Sequence, residues 1–252
     1  MNDILKSYLE SRDYNRIADN CICWIRDWFS VNGSESPAVI GISGGKDSSV
    51  VAALCVEALG KERVYGVMMP NGTQSDISVS RDLISTLGIS GSEINIHDSV
   101  EAVKNSITAA GLEHTSQMNI NIPPRIRMTS LYAFSQCLNG RVSNNCNRSE
   151  NYVGYSTLFG DAAGDFSPLA NLTVAEVKLV GKCIGLPDRF IDKVPADGLT
   201  DKTDEDNFGF SYEQLDTYIL TGVCDDEEIK AKIDKRHNAN LFKLKPMAEF
   251  VF

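Results

Sequence analysis

Residues 38–42 read Ala-Val-Ile-Gly-Ile, and the chain then passes through Ser43-Gly44-Gly45-Lys46-Asp47-Ser48-Ser49 into an apolar stretch that ends at Gly60. The first run is too short for a helix and too uniformly apolar for a strand with one wet face, so it predicts a strand covered on both sides. The stretch 48–60 predicts a helix stopped by its glycine. A buried strand that turns through paired glycines into a helix is a βα unit, which restricts the chain to an α/β sheet.

The alternation continues. Strands are expected at 64–69 and 93–97, with helices at 76–87, closed by Gly88, and at 100–111. A polar stretch marked by Pro123 and Pro124 follows at 115–124, then a helix at 126–138 and a short strand at 141–144. Thr173 and Glu176 have the capping-box spacing and open a helix that ends at Gly185. Two helical patterns precede the sheet within 2–29, and two follow at 212–220 and 226–236. This order predicts a doubly wound parallel sheet with helices on both faces. The expected organisation is one domain over residues 1–252, with N-terminal helices in 1–30 and a helical extension from about 200.

Composition narrows the partners. Lys and Arg number 24 against 34 Asp and Glu, a net charge of −10, and such a surface repels nucleic-acid backbones. Seven cysteines form an odd set with no Cys-x-x-Cys pair, against both a disulfide framework and a structural zinc site. No run approaches the ~18 apolar residues of a spanning helix. The first turns are broken by Asp3, Lys6, Glu10, Arg12 and Asp13, so no signal peptide is expected and the chemistry is placed in the cytoplasm, away from membranes.

The loop at 43–49 carries the chemistry. It lies where the first N–H groups of a helix lack internal partners and favour anions, and Gly44 and Gly45 allow a phosphate close to the main chain. Ser43, Ser48 and Ser49 add hydroxyl donors. The pattern is not a Walker A loop, since only three residues separate Gly41 from Gly45 and Asp47 follows Lys46. An acid in an anion site repels the ligand unless a magnesium ion lies between them, which makes Asp47 a candidate metal ligand. The alternative is a tight turn with Asp47 as a helix cap. Glu150 follows a short strand on the same sheet edge as Asp47 and is a second candidate, or else merely complements a local helix start. Arg125 and Arg127 lie two apart and cannot share a helix face, so one is a ligand clamp and the other structural or solvated. Asp161 and Asp165 either face a site or form a solvated turn, and Tyr155, Phe159 and Phe166 either stack on a ligand ring or pack in the core.

The string Ser-Gly-Gly-x-Asp-Ser resembles the pyrophosphate loop of the ATP pyrophosphatases, and four later segments resemble the NAD synthetases among them. These are Met69-Pro70-Asn71-Gly72-Thr73-Gln74; Asn121-Ile122-Pro123-Pro124-Arg125-Ile126-Arg127-Met128; Asn147-Arg148-Ser149-Glu150 with Gly154-Tyr155-Ser156-Thr157, Gly160-Asp161 and Asp165-Phe166-Ser167-Pro168-Leu169; and Thr203-Asp204-Glu205 with Gly209-Phe210-Ser211-Tyr212. The resemblance implies an adenine nucleotide alpha hydrolase-like fold and a homodimer, and the aromatics Trp24, Trp28 and Phe29 either anchor such an interface or pack on the chain's own sheet. It implies ATP- and Mg²⁺-dependent amidation of deamido-NAD⁺ by ammonia, through an adenylated intermediate, with release of AMP and pyrophosphate. The implied ATP set is Gly41, Ile42, Ser43, Gly44, Gly45, Lys46, Asp47, Ser48 and Asn145. Asp47 and Glu150 are the implied metal ligands, and Arg125, Asp165 and Lys243 the implied contacts to deamido-NAD⁺. No covalent nucleophile is expected.

Two departures stand out. The family's lysines at two positions are Leu158 and Val174 here, so positive charge falls to Lys46, Arg148, Lys202 or Lys243. The rival readings are a tRNA-thiolating enzyme on the same loop, disfavoured by the acidic surface, and a non-catalytic nucleotide-binding module. About 35 residues precede the first strand, against the ~100 or more of a typical separate domain, and no histidine precedes His97 to activate Cys21 or Cys23. Free ammonia is therefore the expected nitrogen donor.

Overall fold

The computed structural model describes residues 1–192 and 204–250. Lys202 and Thr203 lie outside the described residues. Helices α1 (Asp3–Glu10) and α2 (Tyr14–Asn32) precede β1 (Ala38–Gly41), and α3 (Lys46–Leu59) leads to β2 (Val64–Met68). Then come α4 (Ile77–Leu87), β3 (Ser90–Glu93), α5 (His97–Ala109), α6 (Ser116–Cys137) and β4 (Arg141–Val142). The remaining helices are α7 (Arg148–Val153), α8 (Val174–Cys183), α9 (Asp188–Ile191), α10 (Asp204–Phe208), α11 (Tyr212–Thr221) and α12 (Glu227–Asn240), with a 3₁₀ turn at Leu241–Leu244.

The four strands are parallel in the order β3-β2-β1-β4. Side chains alternate across a strand, so Ala38 and Ile40 enter a core with α2, α3, α8 and α9, while Val39 packs with Val67, Val142 and Leu131 of α6 on the other face. That two-sided burial is why β1 lacks an alternating polar pattern. The chain leaves β1 toward β2 and returns to it as β4 on the opposite side. The crevice at the carboxyl ends of β1 and β4 is thus the switch point at which sheets of this kind bind ligands.

Two expected boundaries move. The polar stretch at 115–124 is helical, because α6 starts at Thr115, whose side chain accepts the N–H of Met118, and runs through both prolines. Adjacent prolines confine the missing donors to one turn, and Ile122 and Pro123 are buried there, with Ile122 against Ile96 and Val100. β3 is polar and lies at the sheet edge, so it has no apolar signature. The residues expected to form it, Ile94 and Ile96, extend the pairing through N–H bonds to the carbonyls of Met68 and Pro70 before α5 begins.

The aromatic stripe of α2 resolves toward the second of its two readings. Trp28 and Phe29 pack on Phe166 with ring centroids 5.1 and 5.2 Å apart, inside the chain's own fold, and only Trp24 stays exposed. Most of that stripe is core packing.

Asp216 of α11 locks α7 and α8 together. It accepts the Ser149 hydroxyl and the Ala175 N–H, and burial pushes its carboxyl up to about 6. The unfolded carboxyl ionises near 3.8, so the stabilisation is complete below that pH and is lost as pH rises to 6. Its span is on the order of 3 kcal/mol at 1.36 kcal/mol per unit. Melting temperature should fall from pH 4 to 6.5 in the wild type and fall less steeply in Asp216→Asn. Equal slopes in thermal melts across that range would sink the assignment.

Candidate active site at the switch point

The loop after β1 is shaped by its own hydroxyls. Gly44 has a φ of 78°, which suits glycine, and Gly45 opens α3 with no side-chain cap. The Ser48 hydroxyl accepts the Ser43 N–H at 3.3 Å and donates to the Gly45 carbonyl at 3.1 Å, while the Ser43 hydroxyl accepts the Gly45 N–H at 3.2 Å. These bonds set the loop's shape and place the α3 N-terminus at the crevice, an arrangement suited to a phosphate.

Asn145 joins the two strand ends, accepting from the Ser143 hydroxyl at 2.8 Å and donating to the Gly41 carbonyl at 3.0 Å. Two residues on, Asn147 ties the acids together. Its Nδ2 donates to Asp47 Oδ1 at 3.1 Å, and its backbone N–H donates to Glu150 Oε2 at 3.2 Å. Glu150 therefore does close a capping box at the start of α7, as the local alternative held. The same geometry brings it near Asp47, and burial together with the Asp47 charge pushes its carboxyl up to about 8.

Lys46 does not reach outward. Its side chain is buried with Nζ 2.9 Å from Asp47 Oδ2, and although burial opposes its charge, Asp47, Glu150 and Asp204 hold its pKa above the usual lysine value. Asp204 is buried and accepts the hydroxyls of Tyr155 and Tyr212 at 3.1 and 3.0 Å, and Nζ lies 5.7 Å from the Tyr212 ring centre. Asn147 and this tyrosine clasp were not given roles from the sequence. The Asn-x-x-Glu cap spacing was visible there, whereas the clasp, which brings Tyr155 to Asp204 across 49 positions, had no local signal.

Two of the three residues implied for the second substrate, Arg125 and Lys243, meet the loop at 154–161. Arg125 Nε donates to the Leu158 carbonyl at 3.3 Å, and Lys243 Nζ donates to the carbonyls of Gly154 and Ser156 at 2.8 and 3.0 Å. Arg127 faces elsewhere, with Nε on the Met69 carbonyl at 3.0 Å, so the two arginines lie in different surroundings. Asp165 accepts the Tyr132 hydroxyl at 3.0 Å and the Val142 N–H at 2.7 Å. It also lines a cavity of about 300 Å³ with Asn144, Asn151, Phe166 and Leu244. Val174, where a lysine was missing, is buried with Val153, Phe208, Phe210 and Leu215, surroundings that leave a cation no solvent.

Residues 17–251 match the NAD synthase family. An NH(3)-dependent NAD(+) synthetase from Finegoldia magna is 34% identical over 242 residues, 95% of this chain and 98% of that protein. The chain belongs to the NAD synthase family. It is thus a ligase that forms a C–N bond, and the relatives support ammonia-dependent NAD⁺ synthetase activity. Among solved structures, this NAD synthase is similar to an NMN synthetase from Francisella tularensis, with TM-score 0.87 and 32% identity over 96% of this chain and 100% of that one. It is also similar to an NH3-dependent NAD synthetase from Campylobacter jejuni, solved with a nitrate ion, with TM-score 0.76 and 30% identity over 96% and 100% of the two chains. These neighbours share its parallel sheet and flanking helices, the adenine nucleotide alpha hydrolase-like arrangement. No helix among the described residues is long and apolar enough to cross a membrane.

Proposed function

We infer that this NAD synthase uses ATP to adenylate the nicotinate carboxylate of an acid nucleotide, with ammonia then displacing AMP to form the amide. The observation that carries the reading is the crevice between β1 and β4. There an uncapped helix N-terminus and two acids held by Asn147 adjoin the loop that Arg125 and Lys243 brace. The carboxylate oxygen attacks the α-phosphorus of ATP in line and pyrophosphate leaves. Ammonia attacks the acyl carbon, AMP leaves, and the proton lost from nitrogen passes to solvent. The chain's part is positioning two anionic nucleotides, which needs no covalent nucleophile. The loop of Gly41, Ile42, Ser43, Gly44, Gly45 and Ser48, with Asn145, holds ATP, and Arg125, Asp165 and Lys243 hold the acid nucleotide.

Among the described residues no three His, Cys, Asp or Glu side chains cluster as a metal site. Asp47 and Glu150 nonetheless fit Mg²⁺, because they are hard oxygen donors held near one another, and burial together with the Asp47 charge raises Glu150, a cost that a shared cation would offset. When bound there, Mg²⁺ supplies charge neutralisation for the pyrophosphate.

The acid nucleotide is deamido-NAD⁺ on the first reading, which the relatives' NAD⁺ synthetase names support. A second reading, nicotinate mononucleotide, is favoured by the higher TM-score to the NMN synthetase and by Leu158, which removes one cation from the substrate side. Cytoplasmic location and a homodimer complete the proposal. The test is initial rates of pyrophosphate release with each acid nucleotide in turn, with ATP, Mg²⁺ and ammonium, alongside light scattering on the same sample. Turnover with ammonium and none with glutamine is expected. Absence of turnover with both nucleotides defeats the reading, and a 27.6 kDa particle defeats the dimer.

A further inference from the structure

We propose that Phe159 is the stacking platform for the nicotinate ring of the acid nucleotide. The proposal rests on the reading above and adds a binding residue to it.

Three aromatics near the site were candidates for a ligand ring, and the fold occupies two of them. Tyr155 packs edge-on against Phe208 at 4.6 Å and donates its hydroxyl to Asp204. Phe166 is buried between Trp28 and Phe29. Phe159 remains 65% exposed.

Its backbone is unusual as well. Among the described residues only Asn139 and Phe159 have positive φ without being glycine, at 52° and 61°. Asparagine tolerates that region, whereas a bulky aromatic there is an outlier, and such outliers collect at ligand sites. The conformation is imposed by the turn, in which Gly160 and Ala162 both donate to the Thr157 carbonyl, at 2.8 and 3.2 Å. That places Phe159 third in a four-residue turn, a position whose positive φ normally selects glycine or asparagine.

The turn cannot relax cheaply. Thr157 donates its hydroxyl to Asn121 and its N–H to Asp161, and Asn144 and Cys146 hold the Asp161 carbonyl. Arg125 holds Leu158, and Lys243 holds Gly154 and Ser156. The residues implied to grip the acid nucleotide are therefore the ones that present Phe159. It also adjoins Leu158, where charge has been lost, so a ring face offers binding that does not need a cation.

The test compares Phe159→Gly, Phe159→Leu and Phe159→Trp with wild type, starting from whichever acid nucleotide wild type turns over. Phe159→Gly should melt no lower than wild type, since it relieves the left-handed backbone. Its KM for the acid nucleotide, like that of Phe159→Leu, should rise about tenfold or more, with KM for ATP within about twofold, as expected for one lost stacking contact. Phe159→Trp should keep KM near wild type, and its added emission should be quenched by that same acid nucleotide beyond the response of Trp24 and Trp28 in wild type. An unchanged KM in the glycine and leucine variants overturns the proposal. So does a parallel rise in both KM values, an unquenched tryptophan, or a shift to monomer in light scattering, which would assign the ring to a subunit contact. Wild type that turns over neither acid nucleotide defeats the underlying reading instead.

Discussion

Asp47→Asn and Glu150→Gln should each reduce pyrophosphate release at least about 10²-fold, the usual scale for losing one charge-stabilising group, while both proteins stay folded. The reason lies in what each side chain already does. Asp47 sits in the first turn of α3, whose uncapped N-terminus would draw a phosphate that a carboxylate there repels, and Glu150 is held near it by Asn147. Without a cation to share, that pair works against ATP. The two variants should nonetheless differ in stability. Glutamine still closes the capping box with the Asn147 N–H and removes the repulsion that raises Glu150, so Glu150→Gln should melt at or above the wild-type temperature. Asp47→Asn strips the buried Lys46 of its ion-pair partner and should melt lower. Pyrophosphate assays across a Mg²⁺ titration, with melts on the same samples, decide the matter. Near-normal turnover of either variant at saturating Mg²⁺ removes that acid from the metal site.

How much of this was legible in the sequence follows from how local each signal is. The run at 38–42 and its glycines announce a central strand and a tight turn into a helix, because neighbours in sequence form both. The capping boxes at Asn147 and Thr173 are legible for the same reason. α6 was misjudged at its start, because two prolines in a polar stretch ordinarily break a helix, and the burial that holds this one comes from α5 and the end of β3. The Trp24, Trp28 and Phe29 stripe fits an interface or the chain's own core equally from sequence, because the ring that covers two of them, Phe166, lies far along the chain. The acids 47 and 150 could be placed on one sheet edge from topology, yet the asparagine that joins them and the inward turn of Lys46 depend on contacts about a hundred residues apart.

That inward turn leads to the second large effect. Lys46 is 4% exposed, deeper than a phosphate-gripping lysine at a loop tip, and Asp47, Glu150 and Asp204 all act to keep it charged. Removing the cation leaves these acids facing one another, with Asn147 and the hydroxyls of Tyr155 and Tyr212 the neutral donors that hold them. Lys46→Met, close in length and apolar, should therefore cost about 3–5 kcal/mol in chemical denaturation without ligands, the range for breaking one side of a buried ion pair. The double variant Lys46→Met with Asp47→Asn should lose less than the sum of the single losses, since it removes cation and anion together. Saturating Mg²⁺ and ATP should restore part of the Lys46→Met stability, because a ligand that binds only the folded state adds RT ln(1 + [L]/Kd). If Lys46→Met loses less than about 1 kcal/mol, or the double variant is strictly additive, the ammonium is a solvated group and not the internal counter-charge of the site.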